Sequence, residues 1–256
     1  MWHMDELELR SFLLTTSEGM NAWFRVQELE AETEASARFD PRESYGDEAY
    51  SMFMDRVGIF WEQYWYQLSA AVVKDAFTLY EVFLEESAHR VLQRHSSGLT
   101  KLSSEDSWRF DECRDFYKNY LHLEIEPLEV GHIHWIRNKL SHLRDSFRTD
   151  AGEAEFADRL AALGITGDET DDEKELMLSH HEYGRKLAFA DSLTLSPLEA
   201  WRILDILRSH VENLTLALHA LQYGPYQTEV LASLRKGTPF RARDRKILKI
   251  PAGDAD

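Results

Sequence analysis

The sequence predicts an all-α protein, built as an antiparallel helical bundle with peripheral helices. Three observations support this fold class. Apolar residues recur at spacings of three and four along several segments, which is typical of the buried face of an amphipathic helix. Strict two-residue alternation, the pattern of a half-buried strand, is almost absent. Serine, proline and glycine stand at positions where helices begin or end.

The first three predicted helices lie between residues 52 and 127. Apolar side chains return every third or fourth residue over 52–68 and again over 71–93. A third helix is predicted to begin near Ser104, whose hydroxyl can cap the first turn, and to stop at Pro127. Its apolar residues are Trp108, Phe116, Tyr120 and Leu123.

The remaining predicted helices lie in the second half of the chain. One surrounds residue 140, and a shorter one covers 156–163 before an acidic loop at about 165–175. The tetrapeptide Ser-Pro-Leu-Glu at 196–199 predicts a capping box, which opens a helix that continues to Leu221. The apolar stripe of the helix around residue 140 consists of Ile133, Ile136, Leu140, Leu143 and Phe147.

Composition and charge divide the chain into three predicted regions. These are an N-terminal helical extension over 1–50, the bundle over 51–230 and a basic tail over 231–256. Apolar residues make up 43% and aromatic residues 12%, which excludes a disordered chain. The net charge of −17 argues against a protein that coats nucleic acid. Residues 235–249 nevertheless contain four Arg and three Lys against one Asp, so the tail is either a solvated end or a phosphate contact.

Several classes of protein and site are excluded at this stage. No apolar run approaches the ~20 residues needed to cross a bilayer, and the first ten residues are acidic, so we expect a cytoplasmic protein with no membrane partner. Cys113 is the only cysteine and is expected to be a small buried hydrophobe. His132 and His134 lack further ligands for zinc, and we expect no metal and no cofactor. The pair at 180–181 is expected to be solvated.

One stretch of the predicted bundle, WIRNKLSHLRDSF at 135–147, combines a helical apolar pattern with an unusual polar set. His134, Asn138 and His142 are four residues apart and lie along one line of the helix. Arg137 and His142 are five apart, so they lie ~140° from each other around the axis. These residues are either the solvent-facing side of an amphipathic helix or a catalytic set.

The string RNKLSH, late in a helical bundle and preceded by LYEVFLEE at 79–86, resembles the HEPN superfamily, whose signature is R-x4-6-H. The resemblance implies a symmetric homodimer in which two motif helices line one cleft. It further implies a metal-independent RNA endonuclease that cleaves through the RNA 2′-hydroxyl, with Arg137, Asn138 and His142 as catalytic residues. A toxin–antitoxin system, with an antitoxin protein as partner, or a phage-defence system is its expected context.

The same residues allow other functions. Some HEPN proteins have lost catalysis, and the acidic composition suits a non-catalytic HEPN-like dimerisation or protein-interaction module. A nucleotide-binding regulator would use Arg137 and Arg144 for phosphate. An acidic residue on an earlier helix supports the site in some relatives of the family, and Glu81 or Glu85 is either that residue or a surface charge. Arg144 stands where nucleotidyltransferase-paired toxins commonly have Tyr, which argues against regulation through that position.

Overall fold

The protein is helical throughout the part of the chain that the computed structural model describes, residues 2–40, 45–58, 61–95, 108–142, 150–165 and 195–223. Seven α-helices and one π-helical turn are present, and these ranges contain no strand, so the predicted all-α class is confirmed. None of the described helices is long and apolar enough to cross a membrane. The helices are α1 (Trp2–Arg38), α2 (Tyr45–Val57), α3 (Trp61–His95), α4 (Phe110–Phe116), α5 (Leu128–His142), α6 (Asp150–Ala162) and α7 (Pro197–Tyr223).

The prediction of a single helix over 52–68 is wrong, because α2 ends at Val57 and Gly58 is not helical. This glycine has φ +70°, and its N–H donates to the carbonyl of Met54 at 2.8 Å. Such a left-handed residue ends a helix, and glycine adopts it without steric cost. The second half of the predicted helix instead joins the segment 71–93, so that α3 is one long helix.

The third predicted helix is shorter than expected at both ends. Ser104 lies outside the described residues, and Trp108 precedes α4 in a non-helical segment. The helix begins at Phe110, after Arg109, whose backbone N–H donates to the Glu112 carboxylate at 3.0 Å. A π-helical turn, Tyr117–Leu121, continues α4 and ends at His122, which has φ 55°. Leu123 therefore lies beyond the helix, and Pro127 does not terminate it.

The predictions for α5 and α7 agree with the structure in the residues it describes. Ile133 and Ile136 are fully buried, whereas Leu143 and Phe147 lie outside the described residues. At the start of α7 the Ser196 N–H donates to the Glu199 carboxylate at 2.7 Å, and the Glu199 N–H donates to Ser196 Oγ at 3.2 Å. The predicted capping box is therefore confirmed. The acidic loop and the basic tail lie outside the described residues.

The chain forms two compact units, with the division falling inside α3, α5 and α7. The α1 unit contains residues 3–75 and 135–204. Its core places Phe24 of α1 with its ring centre 5.7 Å from that of Tyr64 and 6.3 Å from that of Trp65. A buried ion pair between Glu6 and Arg10 also belongs to this unit, and the Arg10 guanidinium lies 4.2 Å from the ring centre of Trp201.

The α4 unit contains, among described residues, Trp2, 76–134 and 205–223. Two buried tyrosines of α3 and the π turn hold its backbone. The Tyr80 hydroxyl donates to the Ile125 carbonyl at 2.5 Å, and the Tyr117 hydroxyl donates to the Leu84 carbonyl at 2.7 Å. Each buried phenol thereby has an acceptor, as burial of a polar group requires. The predicted domain boundaries at residues 50 and 230 stay predictions.

Gly58→Ala is expected to lower the free energy of unfolding by about 1 kcal/mol, because an alanine Cβ is strained at positive φ. No atom lies within 4 Å of the added methyl group, so this strain is the main cost. Urea denaturation checks the value. Gly19→Ala, in α1 and also with open space around the added Cβ, is the matched control and should stabilise the protein by about 0.5–1 kcal/mol. Equal shifts of the same sign would contradict this account of the α2–α3 break.

Candidate functional site

The Arg-Asn-x3-His motif lies in the second half of α5. Arg137 and Asn138 are half-buried and touch each other, because Arg137 Nη1 donates to Asn138 Oδ1 at 3.0 Å. Ser141 Oγ donates to the Arg137 carbonyl at 2.9 Å. His142 is the last residue of α5, and its side chain lies outside the described part of the chain. The structure thus brings two of the three predicted residues together.

Two cations flank an aromatic ring beside the motif. The Lys139 ammonium lies 5.1 Å from the ring centre of Trp135, and the Arg159 guanidinium of α6 lies 4.4 Å from it. Arg159 also donates to the Glu155 carboxylate at 2.9 Å. In contacts of this kind the cation is attracted by the negative face of the ring. Lys139 and Arg159 therefore lie together at Trp135, whereas Arg137 lies about 160° from Trp135 around the axis of α5.

A second polar cluster, in the α4 unit, was not predicted from the sequence. The Glu126 carboxylate accepts from His134 Nδ1 at 2.7 Å and from Arg114 Nη1 at 2.6 Å. The His134 ring stacks on Phe77 with centres 4.9 Å apart and planes 6° apart, and it lies 4.4 Å from the ring of Phe110. The imidazole is thus fixed in orientation by a carboxylate and two aromatic rings. We name this set the Glu126 network.

Of the two closely spaced histidines, His132 and His134, the second has a carboxylate partner, because its Nδ1 atom is paired with Glu126. Within the described ranges, no group of three or more His, Cys, Asp or Glu side chains is arranged to hold a metal ion. In the sequence, the feature that could have pointed to the network is Glu126, an acidic residue just before Pro127 and eight residues before His134. That spacing matches no established motif.

Burial and neighbouring charges alter the acid–base properties of these groups. Burial raises the pKa of Glu126, but the hydrogen bonds from His134 and Arg114 outweigh it and hold that pKa below its ordinary value. Glu85, which is half-buried, accepts from the Trp108 N–H at 3.3 Å, and burial raises the pKa of its carboxyl. Glu85 therefore has a structural partner in the α4 unit.

Two further titratable groups of the α4 unit are shielded from solvent, Cys113 fully and His210 in part. Cys113 is buried, as expected, and burial together with nearby carboxylates raises the pKa of its thiol well above the ordinary value. Burial lowers the pKa of His210, whose ring centre lies 5.7 Å from that of Tyr80. The sequence pattern of α7 did not distinguish this histidine from a solvent-facing one.

Glu126→Gln is expected to make the free energy of unfolding less dependent on pH in the acid range. The folded pKa of Glu126 is lowered, so its ionisation stabilises the protein above the unfolded pKa of about 4.3 and this contribution is lost as the pH falls through the folded value. At neutral pH the free energy of unfolding of the variant should be about 1–3 kcal/mol lower than that of the wild type. On acidification it should then fall by less than the wild-type value does. Denaturation curves between pH 7 and 3 measure both effects. Glu18→Gln, at an exposed carboxylate of α1, is the control, and identical pH slopes for Glu126→Gln and the wild type would contradict the assignment.

Comparison with known proteins gives no relative. No family model matches the chain, and no match was found among curated proteins or among solved structures. The function proposed below therefore rests on the residues of α5 and their surroundings.

Proposed function

We propose that this protein is a metal-independent RNA endonuclease of the HEPN type that acts as a homodimer. The observation that carries the proposal is the contact between Arg137 and Asn138, which fixes two motif residues next to each other in α5 ahead of His142. A cytoplasmic location and a role in a toxin–antitoxin or phage-defence system belong to the same proposal. RNA is the substrate, and an antitoxin protein is a further partner in the first of these systems.

The proposed chemistry uses the RNA as its own nucleophile. His142 accepts the proton of a 2′-hydroxyl, whose oxygen attacks the adjacent phosphorus, and the bond from phosphorus to the 5′-oxygen breaks. A second imidazole supplies a proton to the departing 5′-oxygen. The products are a 2′,3′-cyclic phosphate and a 5′-hydroxyl. Histidine suits both roles because its charge changes near neutral pH.

Arg137 and Asn138 take the electrostatic part of this reaction. Negative charge accumulates on the phosphate oxygens in the transition state, and a planar guanidinium donates two parallel hydrogen bonds to such oxygens. Asn138 holds Arg137 through its side-chain oxygen, which leaves its amide group as a donor to phosphate. Arg137 therefore needs little side-chain ordering when substrate binds.

Helix geometry supports a homodimer. Arg137 and His142 lie ~140° from each other around the axis of α5, so one copy of the helix does not present both to one phosphate. A twofold axis beside α5 would place the guanidinium of one copy near the imidazole of the other. It would also supply the second histidine that the reaction requires.

Local positive charge supports RNA as the substrate of an acidic protein. The net charge of −17 repels nucleic acid at long range, but its effect is screened beyond about 10 Å at moderate salt. At close range Arg137 supplies one cation at the motif, and Lys139 and Arg159 supply two more around Trp135 on another side of α5. Binding should accordingly weaken as salt is raised, because phosphate contacts release counterions.

The test is cleavage of single-stranded and transfer RNA by the purified protein in EDTA. We expect cleavage of RNA and not of DNA, with products ending in a 2′,3′-cyclic phosphate. His142→Ala should reduce the rate by about 10²–10⁴-fold, the usual contribution of a general acid–base residue. Gel electrophoresis of end-labelled RNA measures the rate.

The matched control is His219→Ala, which removes an exposed histidine of α7. It should cleave RNA at the wild-type rate, and both variants should keep the helical circular dichroism of the wild type. Full activity of His142→Ala, or loss of activity in both variants, would contradict the assignment.

A non-catalytic HEPN-like module is the second candidate, and the acidic charge of the chain favours it. In that case the Arg137–Asn138 contact serves assembly. Arg137→Ala should then weaken the dimer about tenfold, as measured by sedimentation velocity. Neither the wild type nor any variant should cleave RNA. Wild-type cleavage of RNA in EDTA that His142→Ala abolishes would rule this candidate out.

A further inference from the structure

The helix α1 presents six large apolar side chains to solvent. Each is between 39% and 64% exposed. Single exposed apolar residues are common on protein surfaces, but a group that shares one helix face is typical of an interaction surface. We name this group the outer face of α1; it consists of Met4, Leu7, Phe12, Trp23, Val26 and Leu29.

The outer face lies opposite the side of α1 that packs in the α1 unit. At about 100° per residue, the six side chains fall within an arc of about 160°. The buried residues of α1, among them Leu13, Phe24 and Ala31, cluster around the opposite direction. A single helix thus carries two apolar sides, and the residues that the structure describes bury one of them. Packing among the described residues of the α1 unit therefore does not account for the outer face.

Exposed charges around the outer face are predominantly negative. Arg25 and Arg38 are the exposed arginines of α1, which contains no lysine. Glutamates outnumber them, and the exposed ones are Glu8, Glu18, Glu28, Glu30 and Glu32. A second copy would carry the same excess of carboxylates, and an anionic membrane surface would repel them. Charge complementarity therefore favours a basic occupant.

We propose that the outer face of α1 binds an amphipathic helix of a partner protein, whose apolar stripe is flanked by lysine and arginine. Helix-in-groove recognition reads apolar residues at spacings of three, four and seven, and Met4 with Leu7 and Trp23 with Val26 and Leu29 are spaced in this way. The glutamates that lie among them, Glu8 and Glu18, supply orientation and charge selectivity. This interaction is independent of the proposed RNA cleavage, because the outer face shares no residue with the motif on α5.

The probe is a fluorescein-labelled peptide of about 18 residues, in which leucine recurs at helical spacing and lysine fills the flanks. Fluorescence anisotropy with the full chain should show binding that weakens as salt is raised. Phe12→Ser/Val26→Ser should bind at least about tenfold more weakly, since apolar anchors carry most of the energy of such interfaces. Glu8→Lys/Glu18→Lys should also weaken binding, because it reverses two charges of the outer face and leaves its six apolar residues in place.

The control variant is Leu128→Ser/Leu216→Ser, which removes two exposed leucines outside α1 and should bind as the wild type does. A peptide with glutamate in place of every lysine should not bind. Unchanged binding in both α1 variants, or equal binding of the glutamate peptide, would overturn the proposal. So would sedimentation showing a wild-type dimer that Phe12→Ser/Val26→Ser converts to monomer, or binding to phosphatidylcholine vesicles that the same variant abolishes. Activity toward RNA is a separate readout, so failure here leaves the RNA-cleavage test unaffected.

Discussion

Burial of one apolar stripe fixes the rotation of α5 about its own axis. Val130, Ile133 and Ile136 are each at most 1% exposed, so rotating the helix would exchange them for polar side chains at a cost of about 1.5–3 kcal/mol for each. The positions of Arg137 and Asn138 follow from that orientation, as does the approach of Trp135 to Arg159. The candidate chemistry of the chain thus depends on packing that involves none of the reacting groups.

Sequence patterns predicted the features that depend on near neighbours in the chain. The capping box at Ser196 and Glu199 involves residues three apart, and the stripe of α5 follows from helical periodicity alone. Apolar spacing failed where another force sets the boundary. The pattern around Phe53 and Tyr64 continues across Gly58, although the backbone reverses hand there, because side chains on both sides pack on the same aromatic cluster. Trp108 likewise packs on Phe116, with ring centres 4.9 Å apart, without being helical.

The candidate site was predictable only in part, for a related reason. Arg137, Asn138 and His142 belong to one short motif, and such a motif can be recognised from the sequence alone. The Glu126 network joins residues 114, 126 and 134, and it forms because a non-helical segment returns the chain before α5 begins. Phe77 comes from a different helix altogether. No local spacing encodes such a set, because its members are related by tertiary packing.

The chain has one thiol, Cys113, and its reactivity reports local opening of the α4 unit, which equilibrium unfolding does not resolve. Cys113 is buried and its thiolate is strongly disfavoured, so a disulfide reagent in solution can react only after the surrounding helices separate. The rate at which Cys113 is labelled therefore measures local opening at that position, and no probe has to be introduced. Comparison of that rate with global unfolding would tell whether α4 and its π-helical turn open alone or only when the whole chain does.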